Sequence, residues 1–227
     1  MRLIVHVEGR TEETFVNEII APHLRSFGYE SVSPRIIGNA RIRTGGICQW
    51  QSARDGIVNH LKSDDRCFAT TMVDYYALQD SWPGRKESTR ERTVLKKAAR
   101  GHEAIGADIA ALMGKRFNAR RFVPFVVMHG FEGLSFRDCA AFCRGIGRVD
   151  LERSLRAIRN SFQTPEEIND SSLTAPSKRI NELFPGYTKP LYGNIGILEI
   201  GLDRIRAQCP HFAAWLTALE RSATPSK

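Results

Sequence analysis

Residues 2–24, RLIVHVEGRTEETFVNEIIAPHL, decide the fold class. Leu3, Ile4, Val5 and Val7 make an apolar run of strand length that closes at Glu8–Gly9. Thr11 then reads as an N-cap. Glu12 and Glu13 fill the first helical turn, where carboxylates meet the positive end of the helix dipole. Phe15, Val16, Ile19, Ile20 and Leu24 follow at helical spacing until Gly28 ends the helix. A strand that turns through glycine into an amphipathic helix is the opening unit of an α/β fold.

The same alternation continues downstream. Val32 to Ile37 reads as a second strand, followed by a basic, glycine-rich loop over residues 38–46 (GNARIRTGG) and a helix from Trp50 to Leu61. Phe68 to Val73 is a third strand and ends at Asp74; Tyr75 to Glu87 reads as a loop. Ser88 to Phe117 is mostly helical, with breaks expected near Gly101 and Gly106. Arg121 to Met128 is a fourth strand, in which Pro124 calls for an edge position or a bulge. Helices are then expected over Leu134–Cys143, Leu151–Ser161, Pro176–Phe184, Glu199–Gln208 and Phe212–Leu219, with a polar connection from Thr164 to Ser177 and a frayed tail from Ser222. The expectation is an α/β fold: a mostly parallel four-stranded sheet flanked by helices over residues 1–150, with a helical C-terminal part, residues 151–227, packed on it.

Composition narrows the class. Of 227 residues, 42% are hydrophobic and 26% charged, enough apolar surface to bury a core, which excludes a disordered or low-complexity chain. No apolar run approaches the ~18 residues of a membrane span, and the N-terminus enters a strand at once rather than forming a signal peptide. The five scattered cysteines make no zinc motif, so reduced thiols in a cytoplasmic protein are expected. The formal charge of +8 suits a polyanionic partner without requiring one.

Acidic residues fall at strand ends. Glu8 follows the first strand, Asp74 the third, and Glu132 lies four residues beyond Met128. In an open parallel sheet the carboxyl ends of the strands share one edge, where ligands bind. Carboxylates gathered there repel one another unless a cation sits among them. Oxygen ligands without cysteine suit Mg²⁺ or Mn²⁺ rather than zinc. Glu12 adds a fourth group, Glu13 could serve in its stead, and Asp80 and Asp138 are more distant candidates. A metal held by several carboxylates can activate water and steady charge on a phosphoryl group. Each acid also has a plainer use: Glu12 and Glu13 in helix capping, Asp74 in a turn, Glu132 at a helix start. His129 could orient a carboxylate or meet phosphate, and Tyr75 and Tyr76 could line the same cleft or pack beneath the loop.

Residues 7–12, VEGRTE, are similar to the first motif of Toprim-type domains. More closely, VEGRTEETFV (7–16), MVDYYALQDSWPG (72–84), HGFEGLSFRD (129–138), TAPSKRI (174–180) with FPGY (184–187), and IGLDRIRAQCPHFAAWL (200–216) together resemble the family called domain of unknown function 4276, over nearly the whole chain. The resemblance implies a Toprim-like core and a divalent-metal site, with Glu8 as metal ligand or general base and Glu12 as a second acid, as in nucleases of the overcoming-lysogenization-defect type. Asp74 stands where an Asp-x-Asp motif would begin, but Tyr76 takes the second aspartate's place, so Asp80 or Glu132 would have to supply the missing oxygen. In the family's usual His-Glu-Phe-Glu motif this chain has Gly130 for the first glutamate and retains Glu132. The resemblance also implies a partner ATPase of the ABC/SMC-like kind and a role in bacterial defence. The chain carries no Walker A sequence of its own.

Arg10, Arg35, Arg41 and Arg43 lie near the first two strand ends, and Arg85, Lys86, Arg90 and Arg92 follow the third. In a parallel sheet these positions flank the acids, as phosphodiester binding requires; a solvated helix start explains the second group equally well. Two functions follow: a Mg²⁺- or Mn²⁺-dependent nuclease acting on DNA or RNA with Glu8, Asp74 and Glu132 catalytic, or a degenerate Toprim-like adaptor that binds nucleic acid for the ATPase.

Overall fold

The computed structural model describes residues 1–37, 47–128, 130–168 and 175–223. The expected loop over 38–46, with Arg41 and Arg43, and His129 lie outside the described residues. The chain divides into two compact units, the first Met1–Val126 with the chain from Trp215 on, the second Val127–Ala214. The division therefore falls earlier than residue 150, and the C-terminal stretch belongs with the sheet.

In the first unit, β1 (Arg2–Val7), β2 (Ser31–Ile36), β3 (Cys67–Asp74) and β4 (Phe122–Val123) stand in the order β2-β1-β3-β4, with all three pairings parallel, and β5 (Val126–Val127) also pairs with β3. The α/β expectation holds. Leu3, Val5 and Val7 are fully buried, and Ile4 and His6 nearly so, which is the signature of a central strand covered on both faces. The register pairs Val5 with Thr70 and His6 with Thr71, so the two faces can be told apart. On one, Trp215 of α11 (Pro210–Ala223) donates its indole N–H to Thr70 Oγ1 at 2.8 Å. On the other, His60 of α3 (Trp50–Ser63) meets His6, Nδ1 to Nε2, at 3.4 Å. Burial holds His6 down to about 3, so it stays neutral in the core.

The first helix starts at Arg10, one residue before the expected cap. It runs as α1 (Arg10–Phe15), a π-helical turn (Val16–Ile20) and α2 (Ala21–Arg25), with Gly28 in a left-handed turn beyond it. The fourth strand is broken into β4 and β5 at Pro124–Phe125. Pro124 has no N–H to donate. Thr71 spans the gap: its hydroxyl donates to Phe125 O at 2.8 Å and accepts the Phe125 N–H at 2.9 Å. The Val126 N–H goes to His102 Nε2 at 3.0 Å.

The stretch expected as a loop after Asp74 contains a 3-10 turn (Tyr75–Ala77) and α4 (Arg85–Ser88). Next comes α5 (Val94–Met113), which is continuous through Gly101 and Gly106 where breaks were expected. Gly84, at φ +74°, sits so near α5 that a Cβ there would lie 2.8 Å from Arg100 O and 3.1 Å from Gly101 Cα.

The second unit is helical: a buried 3-10 segment (Phe131–Arg137), α6 (Cys139–Gly145), α7 (Glu152–Asn160), α8 (Pro176–Leu183), a π-helical turn (Lys189–Gly193), α9 (Asn194–Ile200) and α10 (Leu202–Gln208). The helix expected over Glu199–Gln208 is split at Gly201, which adopts φ +78° and ends α9. Glu166 accepts the His211 and Phe212 N–H groups at 3.1 and 3.2 Å, satisfying donors that the first turn of α11 leaves open. Cys139 and Cys143 are buried one turn apart on α6, and burial pushes both thiols up to about 11, away from the thiolate that metal binding needs.

α6 and α9 touch through glycine. A Cβ on Gly145 would stand 2.9 Å from Glu199 Cβ, and one on Gly196 would overlap the buried Phe142 ring. Gly196→Ala is therefore expected to destabilise the protein by about 1–3 kcal/mol through overpacking, read as a lower urea midpoint at unchanged slope. A variant as stable as the parent would mean that α9 can slide on α6. Among the described residues no helix is long and apolar enough to cross a membrane.

Candidate functional site

The parallel β1–β3 pairing puts Val7 beside Met72, so the two chains leave the sheet together at their carboxyl ends. Glu8 and Asp74 meet there. The Asp74 N–H donates to Glu8 Oε2 at 3.1 Å, and Asp74 Oδ1 accepts the Tyr76 N–H at 2.9 Å. The second bond caps the Tyr75–Ala77 turn, as aspartate at a turn start commonly does. The plainer use expected of Asp74, in a turn, is the one its side chain makes. Both carboxylates are half-buried. Ile37, just past β2, closes the same edge through its N–H to Val7 O at 2.9 Å.

The other expected acids are placed differently. Glu12 is buried in the first turn of α1. Asp80 is largely exposed and pairs with Lys86 at 3.7 Å. Among the described residues no group of three or more His, Cys, Asp or Glu side chains is arranged to hold a metal. Glu8 and Asp74 are two acids that a hydrogen bond joins at this edge, through the Asp74 N–H. That does not amount to a protein cage for a cation, but it fits Mg²⁺, which is commonly held by one or two carboxylates with substrate phosphate and water completing its shell.

Glu132 belongs to the second unit, where it is buried in the Phe131–Arg137 segment. Lys189 Nζ stands 3.7 Å from Glu132 Oε2 and 5.7 Å from the centre of the Phe131 ring. Tyr187, buried nearby, has its hydroxyl pushed far up by burial and by the Glu132 charge. Sequence reading passed over Lys189 and Tyr187, because nothing local announces a partner more than fifty residues away. It also passed over Arg137, which is buried with Nε and Nη1 lacking hydrogen-bond partners and which burial shifts toward its neutral form. Asp138, expected as a distant metal candidate, instead caps α6 through the Ala141 N–H at 2.9 Å and pairs with Arg204.

The basic residues split into two kinds. Arg10, Arg35, Lys86, Arg90 and Arg92 are exposed. Arg85, expected at a nucleic-acid surface, is turned inward. Its guanidinium lies 4.4 Å from the Tyr75 ring centre, and it donates to Tyr75 Oη at 3.1 Å and Leu78 O at 3.3 Å. Tyr75 Oη also bonds Ser88 Oγ at 2.8 Å. Arg85 is a clamp on the loop that carries Tyr76.

No curated protein and no solved structure matches the chain. The family model described as "Domain of unknown function (DUF4276)" matches residues 7–220, from just before Glu8 to the last turns of α11. The match takes in every described site residue named above, and the chain belongs to that family.

Proposed function

We propose that this protein is a metal-dependent nuclease that hydrolyses phosphodiester bonds of DNA or RNA at a Toprim-like edge. The observation that carries the reading is the pairing of Glu8 with Asp74 at the carboxyl ends of adjacent parallel strands. Two acids delivered to one strand edge are more than the sheet needs for stability. Glu8 and Asp74 would hold Mg²⁺ or Mn²⁺, which when bound supplies charge neutralisation at the phosphoryl group. The chain's own part is to orient. The Asp74 N–H fixes Glu8, and the Tyr76 N–H fixes Asp74, so neither carboxylate must be ordered when substrate arrives. Exposed Arg10 and Arg90 carry positive charge for the phosphate backbone. Glu132 lies in the second unit, where Lys189 stands beside it.

On this reading the protein works in the cytoplasm as the effector of a bacterial defence system, with a separate ABC/SMC-like ATPase as partner. The test is cleavage of plasmid, single-stranded DNA and RNA with Mg²⁺, with Mn²⁺ and with chelator, beside calorimetric titration of Mn²⁺ into the protein. Cation-dependent cleavage supports the reading. Neither cleavage nor Mn²⁺ uptake overturns it in favour of an adaptor. Uptake without cleavage directs the assay to the complex with the ATPase.

A further inference from the structure

Position 76 donates its backbone N–H to Asp74 Oδ1, a bond that any residue but proline could make. Yet it is a tyrosine with 39% of its surface exposed, immediately beside the acidic pair. Its ring stands edge-on against the buried Tyr75 ring, centroids 5.2 Å apart at 89°. Tyr75 is locked in turn by Ser88 and by the stacked, doubly bonded Arg85. An exposed aromatic on a short turn is ordinarily loose. This one stands on a clamped ring and is tied at its backbone to the carboxylate of the site. Preorganised aromatic side chains bind with little loss of conformational freedom.

We infer that Tyr76 is a stacking platform for an unpaired nucleobase next to the reacting phosphate, which makes the substrate a single-stranded or unpaired segment rather than an intact duplex. The inference rests on the nuclease reading and deepens it by naming the substrate class. Bases within a duplex already stack on one another, so only an unpaired base can offer its face to a side chain. Charge is complementary. Arg90 is exposed just beyond α4, the same helix whose Arg85 and Ser88 clamp Tyr75, so a cation for the backbone and the platform for the base come from one supported loop. The aromatic residue also accounts for the departure from an Asp-x-Asp pattern at positions 74–76: the second position serves substrate binding.

The experiment uses the full chain with chelator present, and labelled single-stranded DNA, single-stranded RNA and duplex DNA as probes, each single strand carrying a 2-aminopurine. Tyr76→Leu is expected to weaken single-strand binding about tenfold or more, to leave duplex binding unchanged and to abolish the quenching that reports stacking. Tyr76→Phe keeps the ring and stays near wild type. Melting curves of both variants should match the parent, because the ring is peripheral to the core. Single-strand affinity unchanged in Tyr76→Leu, or lost equally in Tyr76→Phe, overturns the inference. Wild-type protein that cuts in a cation-dependent way while indifferent to Tyr76 retains the nuclease reading and sinks only the platform. Wild-type protein that neither binds nor cuts any probe, alone or with the ATPase, overturns both.

Discussion

Glu8→Gln is expected to lower cation-dependent cleavage by about a hundredfold or more, while the melting temperature stays at the parent value. The substitution is nearly isosteric. The glutamine carbonyl still accepts the Asp74 N–H that Glu8 Oε2 accepts at 3.1 Å, so the turn after β3 stays tied to the end of β1. Only the charge is removed. Mn²⁺ affinity should fall in parallel, because one of two carboxylate ligands becomes a weak amide donor. A Glu8→Gln protein that cuts as fast as wild type would sink the assignment of the site, whatever its fold. Asp74→Asn makes a useful companion, since its amide oxygen can still accept from Tyr76 N and preserve the turn.

Arg121→Met is expected to cost about 3–5 kcal/mol, because it leaves three carbonyls without their donor. Arg121 is only 9% exposed. Its Nη2 donates to Leu61 O at 2.6 Å and Asp64 O at 2.7 Å, its Nε to Cys67 O at 3.0 Å, and its Nη1 reaches Asp65 at 3.4 Å. Leu61 lies in the last turn of α3, whose final carbonyls have no intrahelical donor. Asp64 follows that helix, and Cys67 begins β3. One guanidinium thus closes a helix end and ties it to the strand that carries Asp74. Methionine fills the volume but strands three carbonyls in an apolar setting, each costing about 1–3 kcal/mol before relaxation. Urea denaturation should show the loss in the midpoint. Arg121→Lys, which keeps the charge without the planar fork, should fall between. A methionine variant within about 0.5 kcal/mol of wild type would mean that water satisfies these carbonyls and that the network is dispensable.

Local signals worked where local chemistry decides structure. The apolar run from Leu3 to Val7 had to be a strand, since strand-sized, β-branched and bounded by glycine leaves little else, and β1 spans Arg2–Val7. Asp74 closes β3 because aspartate accepts turn N–H groups, and the sequence carries that preference openly. Pro124 announced an interruption by its missing donor, and the strand breaks beside it. Glycine was the misleading residue. Gly101 and Gly106 look like helix breaks, yet α5 runs through both, and the Gly201 break went unread. The residue type is the same in each case. What differs is whether the backbone needs positive φ, as it does at Gly201 and not at Gly101 or Gly106, and that is not written locally.

The sequence by itself determined the α/β class, the alternation of strands and helices, and the placing of Glu8 and Asp74 at strand ends. All of these follow from periodicity and from the rule that parallel strands share a carboxyl edge. The tertiary structure alone decided what each charge does. It turned Arg85 inward onto Tyr75, gave Asp80 to Lys86, placed Lys189 on Glu132 and stood Tyr76 on a clamped ring. A long charged side chain has nearly the same local preference in every exposed setting, so its partner is chosen by which surfaces the fold brings within a few ångströms, and that depends on residues far along the chain.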